Sequence, residues 1–492
     1  MNISARAAPA CALLAALCVG ACAVGPDYRK PPLQVPQSFK EGADWQRAQA
    51  NPQGALSSIW WLEYHDEQLR QLVEQSLRAN QSIAAAEAAY RLAQATVAAN
   101  VASLYPTVGA GLSGTRSGTG PGVPVSTPGV QTSLSADLTA SWEPDLWGEV
   151  RREIESSKAS AQASDAQLAG ERLSIAASVA GDYFELRQAD IDIDLLQQQQ
   201  DIDARILAMT QASYVQGASS NDDVLAAQDT LEAVIAGLQT TQISREQFEH
   251  AIAVLVGVPP AAFSIAPRHD YAFVTPQVPL SLPSQLLERR YDVVSAERTA
   301  AAANAKIGVA EAAFYPTLEL SAEGGFQHNA LANLFSLPNR FWTLGPSLAG
   351  TIFDGGARSA AVREARATYD EDVANYRGTV LGAFQNVEDS LSSCNHLRQQ
   401  EQAYANIYQR NQRLFDSAHA QFTVGTASEQ ALLTQQLTLL QAEQSLKDTQ
   451  ASLTQSSVTL IRNLGGGWQW DEARNAAVGA APDTASAGAA AR

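Results

Sequence analysis

Two kinds of hydrophobic periodicity alternate along this chain. Apolar side chains spaced by three and four residues predict a helix from about Asp66 to Tyr105, and Pro106 ends it. Between residues 133 and 142 the period falls to two, which is typical of a strand with one apolar face. The apolar members of that strand are Leu134, Ala136, Leu138, Ala140 and Trp142. From about Val150 to Ser213 the pattern is helical again, so the chain is predicted to change from helix to strand and back.

The same order of elements returns roughly 210 positions later. The stretch Leu104-Tyr-Pro-Thr-Val108 reappears as Phe314-Tyr-Pro-Thr-Leu318, and two alternating segments follow it. Their apolar positions are Leu318, Leu320, Ala322 and Phe326 in one segment, and Trp342, Leu344, Leu348 and Ile352 in the other. A second long helical pattern runs from about Ala357 to Gln421, and returning helices are predicted from near Asn221 and Ser428.

We therefore predict one structural unit built twice rather than several unrelated domains. The predicted boundaries are 57–257 for the first repeat, with strands at 106–144 and a helical hairpin at 150–256; 258–282 for a linker; and 283–467 for the second repeat, with strands at 316–353 and a hairpin at 357–464.

The alternating segments have the length of tilted strands that cross a bilayer. The same alternation also describes a soluble sheet that covers a core. Aromatic placement favours the membrane, because five aromatic residues fall where strands join helices, as in an interfacial belt. These are Tyr105, Trp142, Trp147, Tyr315 and Phe353. Since four strands cannot close a barrel and lipid does not tolerate open edges, three chains with twelve strands are predicted.

The long helical segments predict the wall of a hollow cylinder. At 1.5 Å per residue each would span roughly 90 Å. Apolar positions at coiled-coil spacing form thin seams, and the remaining surface is polar. Such seams are Leu195, Ile202 and Ile206, and Leu433, Leu437 and Leu440.

The first residues predict export and lipid attachment. Arg6 precedes an apolar run from Ala7 to Val19, which is typical of a signal peptide over residues 1–21. Val19-Gly-Ala-Cys22 has the form of a lipobox, so Cys22 is predicted to be acylated and to become the mature N-terminus. An ordinary signal peptide that contains a cysteine is the alternative. Residues 22–56 are predicted to be a Pro-rich tether, and 468–492 a partly disordered tail.

Composition argues against several function classes. The net charge of −18 makes a nucleic-acid partner unexpected. After Cys22 only Cys394 remains, which excludes an intramolecular disulfide, and the six histidines form no pair at metal-ligand spacing. We therefore expect no enzyme, no metal site and no cofactor apart from the covalent lipid at Cys22.

Several motifs of this chain resemble those of the outer membrane factors, the TolC-like exit ducts. The resemblance is closest to their lipoprotein branch, called NodT- or OprM-like, which serves efflux pumps of the resistance-nodulation-division (RND) class. It extends from about Cys22 to Trp468, with the motifs in the order of that family. They are Cys22-Ala-Val-Gly-Pro-Asp-Tyr28, Trp60-Trp61 before Asp66-Glu-Gln-Leu69, Trp142-Glu-Pro-Asp-Leu-Trp-Gly148, Leu282-Pro-Ser284 through Asp292, Ala302-Ala-Asn-Ala305 through Gly308, and Leu464-Gly-Gly-Gly-Trp468. Tyr291 departs from the pattern, since the family usually has proline there, and this predicts a local difference at a helix start.

The resemblance implies a mainly helical, internally duplicated fold with membrane strands. In that fold a trimer forms a twelve-strand β-barrel in the outer membrane, continuous with a twelve-helix periplasmic α-barrel. It further implies a periplasmic adaptor protein and an inner-membrane RND transporter as partners. Conduction through this part would be passive, and the closed end of the tunnel would open when the partners dock.

Two Gly-containing turns are the predicted adaptor contacts. They resemble the family's hairpin tips and comprise Gly217, Ala218 and Ser219 in the first, and Val424, Gly425 and Thr426 in the second. Glycine allows a tight reversal and close approach of another backbone. It also serves simply to end a helix, and the two roles are compatible.

A pore gate is predicted near the first tip. In a trimer Asp222 and Asp223 would give six carboxylates at the pore mouth, with Leu433 as an apolar component. The alternative is that both aspartates stabilise a helix N-terminus, and Thr426 with Glu429 likewise has the spacing of a capping box. The ionic residues that the resemblance implies on the second hairpin are replaced by Ala427, Ala431 and Thr434.

The sequence therefore predicts the exit channel of a tripartite efflux pump. A duct for type I protein secretion and a lipid-anchored coiled-coil scaffold without a pore are the alternatives. The alternation from Leu134 to Trp142 argues against the scaffold.

Overall fold

The structure is a computed structural model that describes residues 23–42, 58–120, 129–278 and 290–468. Cys22, the signal peptide, and parts of the tether, the linker and the C-terminal tail lie outside the described residues. Over the described ranges the helices are α1 (Glu67–Ala79), α2 (Gln81–Ala102), α3 (Glu149–Val215), α4 (Asn221–Leu255), α5 (Tyr291–Ala312), α6 (Ala357–Thr423) and α7 (Glu429–Asn463). No helix of these ranges is long and apolar enough to cross a membrane.

The strands form one antiparallel sheet. They are β1 (Thr107–Thr119), β2 (Gly129–Trp142), β3 (Thr317–His328) and β4 (Arg340–Ala349), paired in the order β1-β2-β3-β4. The β2–β3 pairing joins the two repeats, with Leu138 opposite Gly324. The prediction that Ile352 belongs to the last strand is wrong, because β4 ends at Ala349 and Ile352 is fully exposed beyond it.

The two halves match element by element. The helix before the strands has 22 residues in both halves. The long helix after them has 67 residues in both, and the returning helix has 35. At 1.5 Å per residue the long helices extend about 100 Å. The observed order of helix, strand pair and helical hairpin is thus the one that the repeated sequence pattern predicts.

One predicted helix is in fact two. Instead of a continuous helix from Asp66 to Tyr105, the chain breaks at Asn80, which has extended backbone angles (φ −68°, ψ 133°). The Asn80 side chain accepts hydrogen bonds from the backbone N–H groups of Ser82 and Ile83, so it caps α2. Its amide also donates to the carbonyl oxygen of Leu255 at 2.9 Å. This contact fixes the break against the end of α4.

Tyr291, the departure from the family pattern, is the first residue of α5. A Cβ on Gly170 of α3 would collide with the Tyr291 ring, so the two helices meet closely at this point. Tyr291 thus stands at a helix start, as predicted.

The main core lies where the middle of α3 meets the short elements around it. A 3₁₀ helix at Trp60–Tyr64, helix α1, the segment after α4 and the end of α7 all contribute buried apolar residues to one cluster. The largest fully buried members of this cluster are Trp60, Tyr183, Tyr376, Phe184, Leu69, Leu186, Ile252, Ile265 and Leu391. This packing attaches both helical hairpins to the same set of short and irregular segments.

The two long helices differ in burial although their lengths are equal. Helix α3 contacts α1, α2, α4, α5 and α7, and many of its side chains are buried. Helix α6 packs on α5 and α7, and its described buried side chains lie between Tyr376 and Cys394. A single chain therefore leaves α6 as an open lateral edge, just as the sheet has open edges at β1 and β4.

Candidate functional site: a membrane end and a helical tip

The sheet separates apolar from polar side chains across its two faces. One face carries strongly exposed apolar residues, including Val108, Leu112 and Leu344, which are 74%, 78% and 69% exposed. The register places Asp137 and Glu323 on the opposite face, with serine and threonine residues around them. Because large apolar side chains are not left in water without a cover, the first face is suited to lipid and the second to an aqueous lumen.

Asp137 has a recess on the polar face. It lies opposite Gly111 of β1 and Gly325 of β3 in the register. A Cβ on Gly111 would approach the Asp137 carboxylate to 2.7 Å, and one on Gly325 would approach its Cα to 2.7 Å. Gly111 therefore leaves room for the Asp137 carboxylate, and Gly325 lets β3 approach the β2 backbone closely.

The predicted aromatic belt lies at the junction of strands and helices. The rings of Trp147 and Tyr315 stack with centroids 4.7 Å apart, and the Trp147 indole donates to the carbonyl oxygen of Pro316 at 2.8 Å. The Trp142 indole donates to the carbonyl oxygen of Leu104 at 3.0 Å. Tyr105 and Phe353 are exposed, at 66% and 88%. An apolar ring with a satisfied polar group is typical of membrane interfaces; an interfacial role for the five residues remains a prediction.

The described start of the chain is strapped along this junction. The backbone N–H of Val24 donates to the Trp147 carbonyl at 3.0 Å, and Asn304 donates to the Pro26 carbonyl at 2.9 Å. Gly25 adopts φ +96°, and a Cβ on it would overlap the Cα of Gly308. We call residues 23–28 the N-terminal strap. It brings Ala23 beside Gly148, where the strands end and α3 begins.

Arg152 and Glu297 hold the N-terminal strap by polar contacts. The Arg152 guanidinium donates to the carbonyl oxygens of Val24 and Gly25, both at 3.1 Å. The Tyr28 hydroxyl donates to the Glu297 carboxylate at 2.6 Å, and burial together with this carboxylate raises the pKa of the Tyr28 phenol. The strap is therefore fixed by buried partners from α3 and α5.

The two tips end their helices in the same way. The N–H of Ala218 donates to the Ser213 carbonyl and that of Thr426 to the Gln421 carbonyl, both at 2.9 Å. Gly217 and Gly425, at φ +73° and +76°, supply the left-handed residue that this Schellman arrangement needs. Val424 is 74% exposed, Gly217, Ala218, Gly425 and Thr426 are exposed, and Ser219 is half-buried. The tips thus present backbone and small side chains to an approaching surface.

The predicted cap of the second returning helix is wrong. Ser428, not Thr426, is the N-cap of α7, since its side chain accepts a hydrogen bond from the Ala431 N–H. The Thr426 hydroxyl instead donates to the Gln421 carbonyl at 3.0 Å. Glu429 forms an ion pair with Arg205 of α3 at 2.6 Å. This contact between the hairpins was missed because the two residues are far apart in sequence.

The structure separates the three candidate gate residues. Asp223 forms a capping box with Ser220, and these hydrogen bonds hold the pKa of its carboxyl below the usual range. Asp222 is exposed and makes no ion pair with the described part of the chain. Leu433 is 2% exposed and belongs to the core cluster, so its side chain reaches no surface of the chain. Leu433 therefore belongs to the coiled-coil seam, and a gate at Asp222 and Asp223 stays a prediction.

The sequence also contained no sign of a buried ionic hub, which lies against the core residues Tyr183 and Tyr271. Asp190 accepts from Arg187 at 2.7 Å, from Arg245 at 2.8 Å and from the backbone N–H of Arg268 at 2.9 Å. Arg187 and Asp190 are both 1% exposed. The hub ties α3 and α4 to the segment that follows α4. In the described ranges, no three His, Cys, Asp or Glu side chains are grouped to hold a metal ion.

A sheet with one apolar and one polar face, open at both edges and continued by helices about 100 Å long, defines a subunit of an outer-membrane channel. The profile of the family described as outer membrane efflux protein matches residues 72–258 and 282–466. The chain belongs to this family.

Relatives and solved structures agree. The chain is 30% identical to the toluene efflux pump outer membrane protein TtgC of Pseudomonas putida, over 92% of this chain and 94% of that protein. The outer-membrane channel OprN has a TM-score of 0.81 and 30% identity, covering 91% of this chain and 100% of OprN. The open state of the Neisseria gonorrhoeae channel MtrE has a TM-score of 0.77 and 26% identity, covering 92% and 99%. These matches confirm the family resemblance, the fold class and the outer-membrane location.

Proposed function

We propose that this protein is the outer-membrane exit channel of a tripartite efflux pump and conducts small molecules passively. One observation carries the proposal: a single chain joins a sheet with an apolar outer face to helical hairpins about 100 Å long. The sheet is suited to a bilayer and the hairpins to the aqueous space beneath it. In this proposal the protein acts as a duct, without enzymatic activity and with no cofactor apart from a covalent lipid at Cys22.

The working form is a homotrimer. The sheet of one chain ends in unpaired edges at β1 and β4, which carry Val108 and Leu344 with their apolar side chains exposed. Open edges are not stable in lipid. In a trimer, pairing of each β1 with the β4 of a neighbouring chain would leave no open sheet edge. The neighbouring chain would also cover the open face of α6.

A covalent lipid at Cys22 provides a second membrane attachment. The N-terminal strap brings Ala23 against Gly148, and the Val24 N–H donates to the Trp147 carbonyl at the strand–helix junction. The described chain thus starts at the strand–helix junction, the level at which the proposal places the membrane surface. Acyl chains could enter the bilayer there without a long tether.

A periplasmic adaptor and an inner-membrane RND transporter complete the pump. The exposed tips are the adaptor surface in this proposal, since Gly217 and Gly425 have no described atom near an added Cβ. Asp222 and Asp223 from three chains would form an acidic ring near the first tips that attracts cations and narrows the duct until the adaptor docks.

The test is the conductance of the purified protein in a planar bilayer. We expect trimers that form pores of uniform conductance, and Cys22→Ala protein that folds and conducts but carries no acyl mass. Absence of any pore in folded trimers would overturn the channel proposal. For the tips, Gly425→Arg should abolish adaptor binding and drug resistance but leave conductance intact, with Arg413→Gln on the same hairpin as a control.

A further inference from the structure

The apolar face of the sheet carries two arginines that nothing described in the chain uses. Arg116 on β1 and Arg340 on β4 lie on this face, since the register pairs Arg116 with Thr132 and Arg340 with Phe326. Both side chains are exposed. Neither guanidinium has a hydrogen bond or ion pair within the described ranges. A cation on a lipid-facing surface is costly at the bilayer midplane but nearly free of cost at the interface, so its depth decides what it can do.

Both arginines lie at the same depth. Arg116 and Arg340 are nine positions from the helical ends of their strands, Thr107 and Ala349. At about 3.4 Å per residue and a tilt of about 40°, nine positions rise roughly 23 Å. The apolar band of outer-membrane barrels is about 25 Å tall. The guanidinium groups therefore reach the headgroup level of the outer leaflet, opposite the leaflet in which the strand–helix junction lies.

Aromatic neighbours support this depth. Phe326 lies directly opposite Arg340 in the register, and Trp342 follows two positions later on the same face with 73% exposure. Aromatic girdles mark both interfaces of such barrels. The arginines thus accompany the second girdle rather than the apolar band.

The charges of the sheet are sorted by face. The carboxylates of the four strands, Asp137, Glu319 and Glu323, lie on the polar face. Arg116, Arg340 and His328 lie on the apolar face. In a chain of net charge −18, an outer surface whose charged groups are all cations or histidine is complementary to an anionic headgroup.

We propose that Arg116 and Arg340 bind the phosphate groups of the phosphorylated glycolipid that fills the outer leaflet. The inference rests on the proposed trimer, in which β1 of one chain lies beside β4 of the next. Each seam between chains would then carry one arginine from either side. Guanidinium groups suit this ligand because their fixed fork of donors matches phosphate oxygens.

The experiment measures lipid bound to intact trimers by native mass spectrometry. The probes are diphosphorylated lipid A, its dephosphorylated form, and phosphatidylglycerol as an ordinary anionic phospholipid. The test variant is Arg116→Gln with Arg340→Gln, and the matched control is Arg29→Gln with Lys30→Gln, which removes two exposed cations outside the sheet. We expect affinity for diphosphorylated lipid A to fall about fivefold per arginine removed and the control to bind like wild type.

Wild-type protein supplies a readout that needs no variant. Binding of diphosphorylated lipid A should weaken with rising salt and exceed binding of the dephosphorylated form. Three results would overturn the proposal. They are equal affinity for the diphosphorylated and dephosphorylated forms of lipid A, equal affinity for diphosphorylated lipid A and phosphatidylglycerol, and an unchanged affinity for diphosphorylated lipid A in the Arg116→Gln, Arg340→Gln trimer. Conductance of the variant should match wild type, so a failed channel and a failed lipid site are distinguished.

Discussion

The buried ionic hub gives the sharpest stability prediction. Among the described residues, Asp190 is the carboxylate that pairs with Arg187, and it also pairs with Arg245; Asp190→Asn removes its charge. Arg187 is 1% exposed, so its charge cannot turn to water. It would keep hydrogen bonds to the Ala266 carbonyl at 2.9 Å and the Gln68 amide oxygen at 2.6 Å, and its position 4.9 Å from the centroid of the Tyr183 ring. Removing one partner of a buried ion pair costs about 3–5 kcal/mol.

The loss should appear first in the segment that follows α4. Besides Asp190, this segment is held by the Arg245 guanidinium, which donates to the Ile265 carbonyl at 2.6 Å, and by His269, whose Nδ1 lies 2.9 Å from the Asp190 carbonyl. An opening free energy lowered by about 3 kcal/mol corresponds to exchange roughly a hundredfold faster. Hydrogen exchange of the amides in 265–271, followed by mass spectrometry, is the assay.

Two further variants make the result decisive. Asp201→Asn, an exposed aspartate on the same helix, should change exchange in 265–271 by less than about twofold. Arg187→Met combined with Asp190→Leu should restore part of the protection, because neither charge is then left buried alone. Unchanged exchange in Asp190→Asn, or additive losses in the double variant, would refute the reasoning.

Three other outcomes follow from the structure. Burial raises the pKa of Asp182 to about 6, so the folded chain binds this proton more tightly than the unfolded chain, and the free energy of unfolding falls as pH rises from about 4 to 6. Asp182→Asn should therefore raise the thermal midpoint at pH 7.5 but not at pH 4, and an equal shift at both pH values would contradict this. Gly25→Val should overlap Gly308 and expose the N-terminal strap to protease, whereas Gly120→Val should not. Asp137→Asn should lower cation selectivity in bilayer recordings, and an unchanged reversal potential would place this carboxylate outside the lumen.

Local periodicity was sufficient for the elements and their order. Alternation predicted the strand that ends at Trp142, and the repeated Tyr-Pro-Thr motif marked both junctions of helix and strand. Coiled-coil spacing also placed Leu433 in a buried seam. The prediction that Leu433 also lines a gate was wrong, because its side chain is packed inside the chain and reaches no pore-facing surface.

What periodicity could not show depends on partners distant in sequence. Asn80 breaks a helical pattern because its amide reaches Leu255, 175 positions away. Asp190 and Arg245 are 55 positions apart, on helix positions that would suit solvent equally well. The Gly25–Gly308 contact is possible because neither residue has a side chain. Single glycines in two distant segments form no periodic pattern that would predict the contact. The predicted tips needed only local turn chemistry, so their backbone form could be anticipated.

The equal helix lengths have a consequence for how such a protein can change. The long helices both have 67 residues and the returning helices both have 35, which is five heptads. An insertion in one helix alone would rotate its seam away from its neighbours, because apolar positions recur about every 3.5 residues. Extending the duct would need whole heptads added in four places at once. Each added heptad would lengthen the duct by about 10 Å. Substitutions can therefore change the surface and stability of the duct, but not how far it extends below the membrane.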